Sequence, residues 1–241
     1  MSVVNSTRAL FANQPPFAIQ HVTSEPVSGA SQYDAWYETE RGRWIGGLET
    51  ALILRMLHPR PAESLLDVGC GTGYFTRKLA AEMSGPVVGL DPDEERIAFA
   101  RRRACCGETY QTGSALDIPF ASKSMDLAMS ITALCFISGE DGAVSEMVRV
   151  ARRRVAMGLL GSHSLLFAEK GRGGGRGAYH GARWHTARAA RELAIGAGLR
   201  NVAVRSAVFF PSGSALARRA ERIVPERTPF GGFLLVTGDV R

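Results

Sequence analysis

The chain alternates short apolar runs with segments in which apolar residues recur at helical spacing. Continuous apolar runs are typical of strands that are buried on both faces. Four runs have this character, at residues 64–66, 86–90, 125–130 and 155–160. Helical segments between such strands indicate βαβ units and a parallel sheet. The pattern therefore predicts an α/β fold of the doubly wound, Rossmann-like type.

The last third of the chain departs from this alternation. A helix is predicted from its cap at Thr186 to Ile195, followed by strands over residues 201–210 and 231–239. Only a short helix over residues 212–224 separates these two strands. Two consecutive strands without a full crossover favour an antiparallel pair at the sheet edge.

A glycine-rich stretch, residues 67–73, joins the first apolar run to the helix that follows it. Its sequence is DVGCGTG. Glycines at alternate positions let the backbone turn sharply and approach a ligand that a Cβ atom would block. The dinucleotide fingerprint needs a small residue where Tyr74 stands, and the phosphate loop needs a Lys after Gly73. The spacing therefore favours a different nucleotide-like ligand.

Asp91 ends the second apolar run, 24 residues after Asp67. An acid at the tip of this strand can accept hydrogen bonds from both hydroxyls of a ribose. Alternatively, Asp91 is the N-cap of the following helix, with Pro92 in the first turn. Asp93 is also well suited to this cap role. Its place at the strand tip favours the ribose role for Asp91.

Residues 67–73 resemble the first motif of class I S-adenosylmethionine (SAM)-dependent methyltransferases, of the type 11-like, small-molecule branch. The resemblance spans about residues 31–240 and implies a seven-stranded, mostly parallel sheet with its last strand antiparallel. Residues 113–120 resemble the family's adenine-contacting segment, with Ser114 where the family has Asp. With SAM as the implied cofactor, the implied cofactor-binding residues are Tyr33, Asp67, Gly69, Cys70, Gly71, Thr72, Gly73, Asp91, Pro92, Ser114, Ala115, Leu116 and Ser130.

Residues 31–44 contain four aromatic side chains just before a predicted helix over residues 44–57. Packing of that helix onto the core explains Trp44 but not Tyr33, Trp36 or Tyr37. The segment is similar to one that folds over the cofactor as a lid in methyltransferases, and packing onto the domain is the alternative. We expect a flexible N-terminal extension over residues 1–30 and one methyltransferase domain over residues 31–241.

Residues 161–185 are glycine-rich and directly follow the apolar run at residues 155–160. The resemblance implies that an insertion here forms the acceptor side of the site, which makes Tyr179 and Arg183 acceptor-side candidates. His180 or His185 is the candidate general base, because an imidazole titrates near neutral pH. Ordinary loop histidines are the alternative.

The charge of the chain is uneven. The net charge is +6, with −5 on residues 1–141 and +11 on residues 142–241. The basic half suits an anionic substrate or nucleic acid. A solvated, arginine-rich surface is the simpler interpretation, since no RNA-binding module is recognisable. We therefore expect a small-molecule acceptor and no nucleic-acid partner.

Composition excludes several other classes. No apolar run approaches ~18 residues and the first 30 residues lack a signal-peptide core, so neither a membrane partner nor secretion is expected. The four cysteines have neither the pattern of a disulfide framework nor zinc-ligand spacing. We therefore expect no metal, and we expect the protein to occur in a reducing cytoplasm.

The predicted activity is transfer of the SAM sulfonium methyl, by in-line displacement, to a small-molecule acceptor. Two alternatives remain open. One is a non-catalytic SAM-binding regulatory protein, and the other is an RNA methyltransferase that uses the basic C-terminal half. The Asn-Pro-Pro-Tyr type motif of DNA and protein amino-methylating relatives is absent after the fourth strand.

Overall fold

A seven-stranded sheet forms the centre of the structure, a computed structural model that describes residues 29–241. Its strands follow the chain as β1 (Leu65–Val68), β2 (Val87–Asp91), β3 (Thr109–Thr112), β4 (Met125–Ile131), β5 (Ala151–Leu160), β6 (Arg200–Ala207) and β7 (Phe233–Asp239). Their order across the sheet is β3-β2-β1-β4-β5-β7-β6. The predicted doubly wound α/β fold is confirmed.

The sheet is parallel from β3 through β5. β7 lies between β5 and β6 and is antiparallel to both. β6 therefore runs in the same direction as the first five strands and forms the edge. This arrangement confirms the predicted antiparallel pair and the reversed last strand.

Seven helices surround the sheet within the described residues: α1 (Gly29–Glu38), α2 (Glu40–Leu57), α3 (Tyr74–Ala80), α4 (Glu94–Arg102), α5 (Glu140–Val150), α6 (Ala187–Gly196) and α7 (Ala215–Glu221). One core cluster joins α2 and α3 to the sheet through residues such as Leu52 and Leu79. Another joins α5 and α6 through residues such as Met147 and Ala190. The strands are thus buried between helices, which explains their continuous apolar runs.

Several element ends differ from the prediction. β5 begins at Ala151 and not at residue 155, so Arg152, Arg153 and Arg154 lie in the strand. Their polar heads are paired: Arg153 with Glu63, and Arg154 with Asp239 on the neighbouring strand β7. These partners are distant in sequence, so the apolar pattern predicts a strand that is shorter than the one observed.

The aromatic segment before residue 44 is helical, which the sequence pattern did not indicate. Thr39 separates α1 from α2 and caps α2 by accepting a hydrogen bond from the Gly42 N–H. The predicted extension over residues 1–30 lies outside the described residues except for Gly29 and Ala30, which begin α1.

Within residues 29–241, none of the helices is both long enough and apolar enough to cross a bilayer.

Candidate functional site

A cavity of about 600 Å³ opens at the carboxyl ends of β1, β2 and β4. β1 lies between the other two strands. The chain adds β2 and β3 on one side of β1 and then β4 and β5 on the other, so the strand order reverses at β1. Ligands bind at this position in open α/β sheets. The sequence-predicted residues in the cavity wall are Tyr33, Asp67, Gly69, Cys70, Gly71, Thr72, Asp91, Pro92, Ser114, Ala115 and Leu116.

The glycine loop has three residues in the left-handed region, with φ of 75° at Gly69, 56° at Gly71 and 78° at Gly73. A Cβ atom on Gly69 would lie 2.3 Å from the Ala133 Cβ. A Cβ on Gly73 would lie 2.6 Å from the Tyr110 Oη. A Cβ on Gly71 would meet no atom of the described part of the chain within 4 Å, so the backbone here faces open cavity.

Gly73 itself does not line the cavity, although it belongs to the motif. Its lack of a side chain makes room for the Tyr110 ring beneath the loop. Its role in the structure is therefore one of packing.

Asp67 and Thr72 place unpartnered polar atoms in the cavity wall. Thr76 donates a hydrogen bond of 2.7 Å to the Asp67 Oδ2. Asp67 Oδ1 and Thr72 Oγ1, both buried, have no hydrogen-bond partner within residues 29–241. Burial, together with the nearby charge of Asp91, raises the pKa of Asp67 to about 7. Buried polar atoms without partners are costly, so this wall fits a ligand that carries polar groups.

Asp91 is positioned by the backbone on both sides. Its Oδ2 accepts from the Gly71 N–H at 2.8 Å, and its Oδ1 accepts from the Asp93 N–H at 3.0 Å. The N-cap of α4 is Asp93, which accepts from the N–H groups of Glu95 and Arg96. Since each carboxylate oxygen can accept a second hydrogen bond, Asp91 keeps acceptor sites for two ribose hydroxyls.

The predicted adenine segment forms the far wall of the cavity. The Ser114 Oγ accepts a hydrogen bond from the Leu116 N–H at 3.1 Å, which closes the turn. Asp117 is exposed and does not line the cavity. The turn therefore presents Ser114, Ala115 and Leu116 to the cavity and turns the nearby carboxylate away.

The end of β4 contributes a strained residue. Thr132 lines the cavity with φ of 57°, and its N–H donates to the Gly158 carbonyl at 2.8 Å. A β-branched residue in this region is held there by its surroundings, and such strain is concentrated at functional sites. Ser130, two residues earlier, is fully buried and lies outside the wall.

Helix α1 lies against the glycine loop. Gly29 and Tyr33 line the cavity. The buried Asp34 pairs with Arg77 at 2.7 Å and with Arg103 at 3.3 Å, and Arg77 also donates to the Thr72 carbonyl at 2.6 Å. This chain of contacts ties the predicted lid segment to the residues that wall the cavity.

Neither predicted general base lines the cavity. His180 is exposed, and His185 is buried with its Nε2 3.0 Å from a Glu140 carboxylate oxygen that also pairs with Arg183. The His185 N–H donates to the Leu160 carbonyl, which draws this part of the insertion onto the end of β5. The catalytic role of both histidines stays a prediction that the cavity geometry does not support.

Several residues of the wall are not among those predicted to bind the cofactor: Gly29, Tyr74, Phe75, Arg96, Ile131, Thr132, Ala133, Phe136, Ile137 and Ala178. Glu49, an acid on the buried face of α2 between Ile45 and Leu52, is also absent from the predicted site. The available signal was a carboxylate on an otherwise apolar helix face.

Comparisons with known proteins agree with this geometry. Residues 66–157 match a family model described as a methyltransferase domain. An uncharacterised protein of Mycobacterium tuberculosis is 31% identical over 196 residues, which cover 77% of this chain and 64% of that protein. An O-methyltransferase of Penicillium expansum is 32% identical over 52% of this chain and 48% of its own length. The chain thus spans less than two thirds of these relatives.

Among solved structures, a SAM-dependent methyltransferase of Thermotoga maritima, titled a possible histamine N-methyltransferase, is similar with a TM-score of 0.72. It is 21% identical, and the match covers 88% of this chain and 96% of that one. At this identity the likeness supports the fold alone.

Proposed function

The chain belongs to the class I SAM-dependent methyltransferases, and on that premise we propose that it transfers the SAM methyl group to a small-molecule acceptor. The observation that carries the proposal is the pairing of Gly71 with Asp91. Gly71 leaves backbone facing open cavity, and its N–H holds the Asp91 carboxylate at the same wall. This arrangement suits a ligand that combines a ribose with charged ends.

We assign the cofactor's parts to the cavity by the chemistry of its walls. Asp91 accepts hydrogen bonds from the ribose hydroxyls. The unpartnered oxygens of Asp67 and Thr72 receive the polar amino-acid end. The turn at Ser114, Ala115 and Leu116 holds the adenine; because the Ser114 hydroxyl already serves the turn, recognition there depends on the backbone and on apolar contact.

The protein's part in the reaction is to position the acceptor and to exclude water. When bound, SAM supplies a methyl group that its sulfonium has already activated, so no nucleophilic triad is required. Helix α1 covers the cavity and is held there by the Asp34 pair with Arg77. Thr132, held in a strained conformation at the end of β4, places its backbone at the acceptor's approach. Exclusion of water favours methyl transfer over hydrolysis.

A small-molecule acceptor is favoured over RNA by two observations. The relatives include an O-methyltransferase of Penicillium expansum and a malonyl-[acyl-carrier protein] O-methyltransferase of Serratia marcescens. In the basic half, eight of the 17 Lys and Arg side chains form ion pairs, so its positive charge is partly neutralised by the fold. We also propose a reducing compartment, since all four cysteines are free.

The proposal is tested by incubating the protein with methyl-labelled SAM and panels of thiols, amines, phenols and carboxylates. We expect label in one panel and none with the Gly71→Ala variant. Binding of S-adenosylhomocysteine without label in any panel would favour the regulatory alternative. Label in added RNA instead, with binding that weakens steeply as salt rises, would favour the RNA alternative.

A further inference from the structure

Glu49 differs from every other buried acid in the described part of the chain. Asp34 pairs with Arg77, Asp67 accepts from Thr76, and Asp91 accepts from two backbone N–H groups. Glu108 and Glu221 likewise accept from backbone N–H groups. Glu49 is only 9% exposed, and within residues 29–241 its carboxylate has no hydrogen-bond or ion-pair partner. A buried carboxylate without a partner destabilises the fold, because its ionised form loses hydration without gaining a compensating contact.

The surroundings of Glu49 are tyrosines from three elements. Gly46 lies one turn earlier on α2, and a Cβ atom there would be 2.3 Å from the Tyr74 Oη. The Tyr37 ring stacks on the Tyr74 ring at 3.6 Å, and the Tyr37 hydroxyl is 3.3 Å from that of Tyr33. Burial raises the pKa of each phenol, and the Glu49 charge raises it further, as it does at Tyr179 in the insertion. Glu49 therefore lies on the face of α2 that packs against Tyr74, and its charge acts on all four hydroxyls.

This group lies directly behind the cavity wall. Tyr33 and Tyr74 both line the cavity, as does Ala178 next to Tyr179. These residues stand where α1, the start of α3 and the insertion converge. We name the group Tyr33, Tyr37, Glu49, Tyr74 and Tyr179 the tyrosine–Glu49 cluster.

We propose that the tyrosine–Glu49 cluster binds the methyl acceptor of the proposed methyl transfer, on which this assignment rests, and selects an acceptor that carries a protonated amine. A carboxylate without a cation and several electron-rich rings are the two features that recognise an ammonium group. An ammonium ion would supply the partner that Glu49 lacks among residues 29–241.

The pairing of the ammonium group with Glu49 also explains how the amine becomes a nucleophile. The ammonium N–H bond breaks and its proton passes to the Glu49 carboxylate, which leaves a neutral amine. The amine lone pair then forms the N–CH₃ bond while the S–CH₃ bond breaks, and that bonding pair stays on sulfur. Burial raises the pKa of Glu49 to about 8, which brings it near to that of an alkylammonium ion and makes the transfer feasible.

The test is calorimetric titration of benzyltrimethylammonium, a permanent cation that cannot be methylated, into the protein saturated with S-adenosylhomocysteine. Because the cation needs the ionised carboxylate, its affinity should rise by about tenfold per pH unit from pH 6 and level off near pH 8. The tyrosines of the cluster, Tyr33, Tyr37, Tyr74 and Tyr179, stay neutral over this range because their pKa values are raised. Asp67 also lines the cavity and has a pKa of about 7, so the comparison with Glu49→Gln assigns the pH slope to one of the two carboxylates. Benzyl alcohol is the uncharged comparison and should bind weakly at every pH.

The variant Glu49→Gln should weaken cation binding at pH 8 by at least about tenfold and remove its pH dependence, with the affinity for S-adenosylhomocysteine unchanged. Glu40→Gln, at an exposed position of the same helix, should behave as the parent protein. If S-adenosylhomocysteine does not bind, the proposed function itself fails. If it binds while the cation does not, or while Glu49→Gln keeps the parent affinity and pH slope, only the acceptor class is overturned.

Discussion

The cofactor end of the cavity and the tyrosine–Glu49 cluster are built by different kinds of contact. At the cofactor end, residues 67–73 form one continuous loop, and a hydrogen bond of 2.8 Å links it to Asp91 on the adjacent strand. The cluster instead joins residues from α1, α2, α3 and the insertion, which are up to 146 positions apart in the chain between Tyr33 and Tyr179. Local chemistry determines the first region, and tertiary packing determines the second.

This difference explains which site residues the sequence could predict. The glycine spacing has a direct backbone cause, since Gly69, Gly71 and Gly73 all have positive φ, and Asp91 ends a strand that any parallel sheet would bring beside the loop. Glu49 carries only a weak signal, a carboxylate on an otherwise apolar helix face, and its lack of a partner within residues 29–241 is visible only in the folded chain. The prediction of His180 and His185 rests on their chemistry alone, and neither side chain lines the cavity.

The lid segment is an intermediate case. Its four aromatic residues indicated a special role, but the contacts that hold it come from Asp34, Arg77 and Arg103. These charges are spread over α1, α3 and just beyond α4, so no local pattern could pair them. The helical state of α1 was missed for the same reason, since tertiary contacts stabilise short helices more than propensity does.

The largest effect is expected at Gly71, in the loop that forms the proposed cofactor end of the cavity. Gly71→Ala should weaken S-adenosylhomocysteine binding by about 100-fold or more, because the new Cβ points into space that the cofactor needs. Gly177→Ala in the insertion is the matched control. It has a φ of 59° and also meets no protein atom within 4 Å. Calorimetry should show a binding loss for Gly71→Ala only, and equal losses would refute a backbone contact with the ligand.

The next effect is expected at the ribose acid. Asp91→Asn should weaken S-adenosylhomocysteine binding by about 30-fold, since charged acceptors contribute roughly 1.5–3 kcal/mol to a hydrogen-bonded site. Asp117→Asn should change the affinity by less than about twofold, because Asp117 lies outside the wall. Titrations of the two variants side by side decide the assignment, and similar losses in both would count against it.

A third prediction concerns stability and uses the cluster. The folded pKa of Glu49 is about 8, above its ordinary value of 4.5, so the folded chain binds more protons between these values than the unfolded chain. Its contribution to stability is therefore full below pH 4.5 and is lost as pH rises towards 8. Glu49→Gln should thus stabilise the protein at pH 7 relative to pH 5 by about 2 kcal/mol.

Urea unfolding of the parent and Glu49→Gln at both pH values measures this difference, with Glu40→Gln as the exposed control. A gain of equal size at pH 5 and pH 7 would mean that Glu49 is not the titrating group. The result also shows whether the tyrosine–Glu49 cluster contains a group that destabilises the folded chain when no ligand is bound. A carboxylate that destabilises the fold at neutral pH has a cost that ligand binding would offset.

The smallest effect is expected at His180. Because its side chain is exposed and lies outside the cavity wall, His180→Ala should change both the affinity for S-adenosylhomocysteine and the rate of methyl transfer by less than about twofold. Steady-state rates with the acceptor found in the panels provide the check. A loss of about 100-fold in kcat, typical of a removed general base, would contradict the account and assign that role to His180.

The central claim, that the cavity at the carboxyl ends of β1, β2 and β4 holds SAM, is tested most directly by calorimetric titration of S-adenosylhomocysteine into the parent protein. We predict one site per chain with a dissociation constant on the order of micromolar, which corresponds to roughly −8 kcal/mol. The absence of binding heat, confirmed by an unchanged melting temperature at millimolar ligand, would contradict it.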